Sequence, residues 1–323
     1  MCMRLSDELE GAFAALAQAQ PLLEAANFSA QLSELHYLLR GSLHFPRGEL
    51  DACLHEHEQA LALALRAGDH FDEARALSGL GDAHYAGGRM KTALGYFDRC
   101  MTLCAVHGFG RIEAANRFMV ATVRMYMNEL EPALDDALQS AELARRVGHQ
   151  RAEIVSRLTA AWLYLLQGQL AAAQNQTTLG LVVVEQLGAP RFRAFLLESV
   201  ARIHLARGEL QQALATIDEA LALARSLKVM RFIGAWLLGT RALILDNVTE
   251  SRAALIEGLA LLDAGCVGHN YYWFYKHAME TSIKQGDRAA LDFYAARLEQ
   301  HMADEPAPWA SAFIARARAA GSC

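Results

Sequence analysis

The sequence predicts an all-α superhelix built from antiparallel helix pairs, repeating about every 40 residues. Three observations predict it. Arg-Gly-Glu-Leu at Arg47–Leu50 returns at Arg207–Leu210, four steps of 40 residues later, and each copy is followed by the same Ala-Leu-Ala-Leu-Ala run, at Ala60 and at Ala220. Gly or Asn punctuates the chain about every 20 residues, and both accept the left-handed conformation that ends a helix. Only 6 prolines occur in 323 residues while Ala and Leu dominate; interior Pro costs a helix about 3 kcal/mol.

The elements follow in order. Residues 1–26 hold an unpaired leading helix. "DELEGAFAALAQAQPLLEAA" reads as the second helix of a pair, with Phe13 in the register of Cys53 and Ala93, and its partner would fall before Met1. The expectation is a chain that forms the C-terminal piece of a longer protein, or a relic of one, since a solenoid needs capped ends. Residues 27–302 are tandem pairs. Gly48, Gly88, Asn128, Gly168 and Gly208 close the first helices; Gly68, Gly108, Gly148, Gly188, Lys228 and Gly268 close the second. The next step of the first series falls in the degenerate turn "DNVTES" beside Asn247. Between these points Leu94, Phe97, Met101 and Cys104 recur at helical spacing. Residues 303–323 form a capping helix and tail.

Columns of small residues mark where helices cross closely. They are Cys53, Ala93, Ala133, Ala173, Ala213, Ala253; Ala60, Cys100, Ser140, Gly180, Ala220, Ala260; and, on the first helices, Gly41, Gly81, Ala121, Ala161, Ala201. Leu63, Leu103, Leu143, Val183 and Leu223 fill the space between repeats.

Composition excludes several functions. A net charge of -6 without a basic run gives no footprint for nucleic acid. No apolar run approaches the ~18 residues of a membrane helix, and the N-terminus carries charge where a secretion signal is apolar; a cytoplasmic protein is expected. The six cysteines form no CxxC pair or framework. "GGRMKT" (Gly87–Thr92) lacks the Gly before Lys91 that a phosphate loop needs, and "GLGDAH" lacks the third Gly of a dinucleotide fingerprint. His55 and His57 of "HEHE" diverge on a helix, so no metal site is expected there, and Cys100 and Cys104 read as core. With no GxSxG elbow and no strand scaffold, no enzyme and no cofactor are expected.

Two polar patterns remain. Arg111, Arg151, Arg191 and Arg231 stand 40 apart, each at a helix start where the dipole disfavours a cation. Either they pair with the acidic series Glu73, Glu113 and Glu153, or they form an edge ladder that recognises anionic side chains. "NYYWFYKH" (Asn270–His277) cannot turn five aromatics toward one core from one helix, so some must reach a groove or a partner; the cluster either contacts a ligand or caps the end of the solenoid.

"LGDAHYAGGRMKTALGYFDRC" resembles the tetratricopeptide repeat: Leu80, Gly81, His84, Gly88, Ala93, Phe97 and Cys100 occupy its pattern, with His84 at the usual Tyr, which is Tyr164 in a later repeat. That family repeats every 34 or so residues; the longer unit here resembles MalT-like bacterial regulators. It also resembles the C-terminal repeats of proteins that carry a nucleotide-cyclase or kinase domain and a signalling ATPase, and "ADEPAPWASAFIARARA" resembles the closing helix of the cyclase-linked group. The resemblance implies a right-handed α-α superhelix whose first helices line a concave groove. It places Ser78, Asp82, Tyr85, Phe118, Thr122, Tyr126, Trp162, Glu198 and Arg202 in that groove. The implied function is a non-catalytic protein-interaction scaffold, a sensory or regulatory module of a larger signalling protein whose partner is a protein or an adjoining domain. The alternative is a small-molecule effector domain that controls oligomerisation, with Trp162 and Tyr126 stacking on a sugar-like ligand.

Overall fold

The computed structural model describes residues 9–25 and 30–321; residues 7, 8 and 26 at the ends of the expected leading helix, and Cys2 and Cys323, lie outside them. Helix α1 (Leu9–Ala25) precedes seven helix pairs and a last helix. The pairs are α2 (Ala30–Arg47) with α3 (Leu50–Ala67), α4 (His70–Ala86) with α5 (Met90–His107), α6 (Gly110–Tyr126) with α7 (Leu130–Arg146), and α8 (Gln150–Leu166) with α9 (Leu170–Leu187). Then come α10 (Pro190–Ala206) with α11 (Leu210–Ser226), α12 (Ala235–Ile244) with α13 (Val248–Asp263), and α14 (His269–Gln285) with α15 (Arg288–His301), closed by α16 (Pro308–Ala320).

The punctuation series takes the left-handed conformation at every step from Gly48 to Lys228, but not at Gly268, which starts α14 with φ −48° while Gly265 (φ 90°) stands in the left-handed region after α13. Both recurrent Arg-Gly-Glu-Leu turns place Gly in the left-handed region, φ 67° at Gly48 and 77° at Gly208. Asn128 (φ 63°) and Lys228 (φ 57°) hold the same conformation with a side chain, at a cost of about 1 kcal/mol for a residue like Lys. The motif's Glu does not cap its helix through a side-chain bond. It turns back instead: His44 Nδ1 lies 2.6 Å from Glu49 Oε2, and His204 Nδ1 lies 2.5 Å from Glu209 Oε2. Each junction is thus tied to the end of its preceding helix.

Small residues set the helix crossings. Cys53, Ala93, Ala133, Ala173 and Ala213 are fully buried. Gly41 and Gly79 flank the buried ring of His57, where an added Cβ would stand 2.6 and 2.1 Å from it. The "HEHE" stretch divides accordingly, with Glu56 and His57 inward and His55 and Glu58 exposed.

The register slips once. The first-helix column continues from Ala201 to Ala242, not Arg241, and the second-helix residues Ala213 and Ile217 are matched by Ala254 and Gly258, each 41 residues on. Ala253 and Ala260, expected in the columns, are exposed. The cause is a π-turn at Met230–Gly234, which takes one residue more than an α-turn. The backbone groups it leaves unpaired find partners on α14. The Asn270 side chain accepts from Trp236 N (3.2 Å) and donates to Phe232 O (2.9 Å), while His269 Nε2 donates to Phe232 O at 2.6 Å.

The superhelix closes on itself. Phe45 at the α2–α3 turn meets Phe232 edge-on at 5.9 Å. At the α4–α5 turn, Gly268 N donates to Ala86 O (2.6 Å) and the Tyr272 hydroxyl donates to Gly88 O (2.8 Å). Helix α14 therefore lies inside the ring, which is why four of its five consecutive aromatics are buried and Tyr271 half-buried: Tyr272 and Trp273 turn toward Tyr126, and Phe274 and Tyr275 toward Tyr294 of α15.

A pair of substitutions tests the crossings. A Cβ at Gly81 would stand 2.5 Å from the Phe97 ring, whereas one at Gly95 would meet nothing within 4 Å. Gly81→Ala is expected to lose about 1–3 kcal/mol through overpacking. Gly95→Ala is expected to gain about 0.5–1 kcal/mol from helix propensity. Urea denaturation of both variants checks the opposite signs.

Candidate binding site

The first helices α4, α6, α8 and α10 turn one face each toward the ring axis, and their apolar and aromatic side chains converge there with Phe232 and His269. They enclose a cavity of about 50 Å³ lined by Asp82, Tyr85, Phe118, Thr122, Arg151, Trp162, Phe195 and His269, among others. The cavity is mostly apolar, with polar groups at chosen points, the usual chemistry of a small binding pocket.

Neighbouring first helices are tied to one another by side-chain hydrogen bonds. Ser78 Oγ donates to Asn116 Oδ1 (2.5 Å), and the Thr122 and Thr159 hydroxyls are 2.8 Å apart. Tyr85 Oη lies 3.1 Å from His269 Nδ1. Because His269 Nε2 donates to the Phe232 carbonyl, Nδ1 is the acceptor and the Tyr85 hydroxyl the donor. Burial holds the His269 pKa down to about 4, against the smaller opposite effect of that carbonyl, so the ring is neutral. Burial likewise pushes the Tyr85 and Tyr126 hydroxyls up. The indole N–H of Trp162, 3% exposed on the cavity wall, meets no acceptor among the described residues. An orphaned buried donor costs ~1–3 kcal/mol.

Of the groove residues, Ser78 and Asp82 are half-buried, and Tyr85, Phe118, Thr122 and Trp162 are buried at or near the cavity. Tyr126 lies deeper and accepts from Trp273 Nε1 (3.0 Å). Glu198 and Arg202 sit farther along the axis in a polar cluster. There the Thr240 hydroxyl is 3.0 Å from Glu198 Oε1 and 3.1 Å from His277 Nδ1, and the Arg202 guanidinium stacks 5.0 Å over Trp273. Burial raises the Glu198 pKa, opposed by Arg202 nearby, and pushes His277 well below the usual histidine range. None of the nine is exposed; helix α14 fills the groove between the two ends.

The arginine series divides. Arg111 is exposed, Arg151 is half-buried and lines the cavity, Arg191 is buried against Phe192 and Phe232 (4.9 and 5.6 Å), and Arg231 donates to the carbonyls of Gly265 and Ala264. Glu113 and Glu153 close on Arg117 (2.5 Å) and Arg157 (2.6 Å), four residues along their own helices. The acidic series thus finds partners within each helix. Missed by sequence reasoning were Phe45, Phe192, Phe195, Phe232, Trp236 and His269. A signal existed for two of them, since Arg-Phe recurs at Arg191-Phe192 and Arg231-Phe232.

Among the described residues no group of three or more His, Cys, Asp and Glu side chains could hold a metal ion, and no helix is long and apolar enough to cross a membrane. The tetratricopeptide repeat model matches residues 32–105. The crystal structure of a Rap protein complexed with competence and sporulation factor superposes with a TM-score of 0.71 at 15% identity, covering 91% of this chain and 79% of that one. The chain has a tetratricopeptide-like helical repeat fold. NprR in complex with its cognate peptide NprX gives a TM-score of 0.61 at 14% identity over 97% of this chain and 98% of that one. The apo form of the quorum sensor NprR from B. thuringiensis gives 0.55 at 16% identity, covering 97% of each. No curated protein matches the chain by sequence. At these identities the likeness establishes the tetratricopeptide-like superhelix and not its ligand.

The neutral His269 carries a pH prediction. Its folded pKa of about 4 lies below the ordinary 6.5, so the unfolded state binds the extra proton between those values. The contribution is complete above about pH 6.5 and is lost as pH falls toward 4, by roughly 1.4 kcal/mol per unit. The groups facing it are Tyr85 and the Phe232 carbonyl, with Asp82 and Arg151 lining the same cavity. Urea denaturation at pH 7 and pH 5 is expected to show a loss in the wild type that exceeds the loss in His269→Gln by about 2 kcal/mol.

Proposed function

We propose that this chain is a non-catalytic recognition and regulatory module that reads a short peptide, or an exposed segment of a protein partner, from inside its superhelix. The observation that carries the reading is the cavity at the ring axis. Aromatic walls from four successive repeats surround it, the Trp162 N–H stands there without an acceptor, and Asp82 and Arg151 place opposite charges on its lining. Such a pocket suits an apolar side chain whose neighbouring carbonyl accepts from Trp162. The structural neighbours crystallised with a competence and sporulation factor and with a cognate peptide agree with this reading. Placement in a larger signalling protein, beside an ATPase or cyclase, belongs to the same proposal and rests on the resemblance of the repeat length and tail.

Selection of a random peptide library on the immobilised chain, followed by calorimetry, tests it. The expected outcome is a family of peptides sharing one apolar or aromatic anchor. Trp162→Ala is expected to weaken them at least ~30-fold, as for a central aromatic anchor, while the exposed Arg111→Ala leaves affinity unchanged. The same cavity supports a second reading, a small aromatic or sugar-like effector. No selected peptide together with a saturable, Trp162-dependent thermal shift by a metabolite would favour that one, and neither result would end both.

A further inference from the structure

The ring is shut by a short seam between parts of the chain about 180 residues apart. Its two faces touch through backbone. A Cβ on Gly268 would stand 2.6 Å from both Gly88 N and Tyr85 O, and one on Gly88 would stand 2.6 Å from His301 Nε2. Across it run the bonds from Gly268 N to Ala86 O and from the Tyr272 hydroxyl to Gly88 O. Beside it Glu305, in the turn before α16, reaches the start of α5. One carboxylate oxygen accepts from Lys91 N (2.7 Å) and Thr92 N (3.1 Å), and the other from Thr92 Oγ1 (2.5 Å). A helix N-terminus receives its capping carboxylate here from a residue 213 positions away. The α5 N-cap position itself, Arg89, supplies no side-chain cap.

We infer that α14–α16 is a self-docked internal occupant of the groove, and that the Gly88–Gly268 seam with its Glu305 latch opens as a unit to expose the interior. Three observations carry this. Within a solenoid each repeat is held by its neighbours in sequence, so the pairs α4–α5 through α10–α11 retain those contacts when the seam parts. The seam itself is backbone-made, a few hydrogen bonds that water can replace, while behind it α14 packs its aromatic side chains on Tyr126 and Trp162, which opening exposes. What α14 covers is the surface a ligand would use, namely Tyr126, Trp162 and the polar cluster at Glu198. With α14 in place the cavity beside Trp162 is about 50 Å³, and the groove beyond it, at Tyr126 and the Glu198 cluster, is filled by Trp273 and His277 of α14. An extended occupant must therefore displace α14, and the latch sets how often that occurs. The opening needs no ligand and can be measured without one.

Hydrogen exchange of the full chain at neutral pH, read by mass spectrometry, tests this with Glu305→Gln, Gly268→Ala and a control, Glu257→Gln, which breaks the exposed Arg225 pair. In Glu305→Gln, amides of residues 88–95 and 266–273 are expected to exchange at least about tenfold faster while α8 to α11 keep wild-type protection. Acrylamide should quench the tryptophans more strongly, since all four are buried in or beside this core. Gly268→Ala, which parts the seam by backbone contact, is expected to give the same regional pattern. Uniform acceleration through α8 to α11, no change in either segment, or the same pattern in the control would each overturn the inference. Should Gly268→Ala fail to fold, Glu305→Gln alone decides.

Discussion

Everything in the interior depends on one approach of backbone to backbone, Gly268 against the turn that holds Tyr85 and Gly88. Neither position has room for a Cβ, so the two ends of the superhelix can meet without a layer of side chains between them. Once they meet, α14 has one place to go. It enters the concave side, and the first helices, which in an open solenoid would face water, face an aromatic helix instead. The composition of α14 follows. A helix packed on one side needs an apolar stripe and a polar back, whereas Tyr272 through His277 are buried all round because the groove receives one side of the helix and α12, α13 and α15 the other.

Closure also fixes the electrostatics. Groups that would be hydrated on a concave surface are moved out of water, and each must find a partner or become neutral. His269 and His277 are held neutral, Tyr85 keeps its proton to donate, and Thr240 stands between Glu198 and His277. The accounting leaves the Trp162 N–H on the cavity wall without an acceptor, and Glu198 Oε2, Arg202 Nη1 and His277 Nε2 in the polar cluster without a hydrogen-bond partner. Native interiors pair such groups as a rule, so an orphan on a cavity wall is informative in a way that an orphan on a packed face is not.

The sequence made the architecture legible because the repeat writes its constraints as residue types. Gly or Asn where φ turns positive, and small residues where helices cross, are local requirements visible at fixed spacing. The groove residues were legible as a face but not as an interior. Nothing in the period of Asp82 or Trp162 says that a helix more than 100 residues downstream will lie across them, because closure is a sum of small rotations over many repeats. The histidine ties behind each Arg-Gly-Glu-Leu were readable, since His44 and His204 stand at the same offset before both copies. The partners of the acidic series were readable too, since Glu113–Arg117 and Glu153–Arg157 keep the i, i+4 spacing that pairs on a helix.

The register slip joins these strands of argument. Under a strict period of 40 the residue opposite Phe195 would be Ala235; the π-turn moves Trp236 into that place. Trp236 then stacks on Trp273 of α14 at 4.7 Å with the rings 4° from parallel, and touches Trp162 at 4.8 Å. An Ala there would leave α14 resting on a void the size of an indole, and the aromatic wall that separates the cavity from the polar cluster would be missing. The widened turn also offers the Phe232 carbonyl to His269 and Asn270, so one inserted residue both supplies the surface on which α14 docks and anchors its first turn. A local departure from the repeat, costly to a regular helix, is what converts an open solenoid into a ring with an inside.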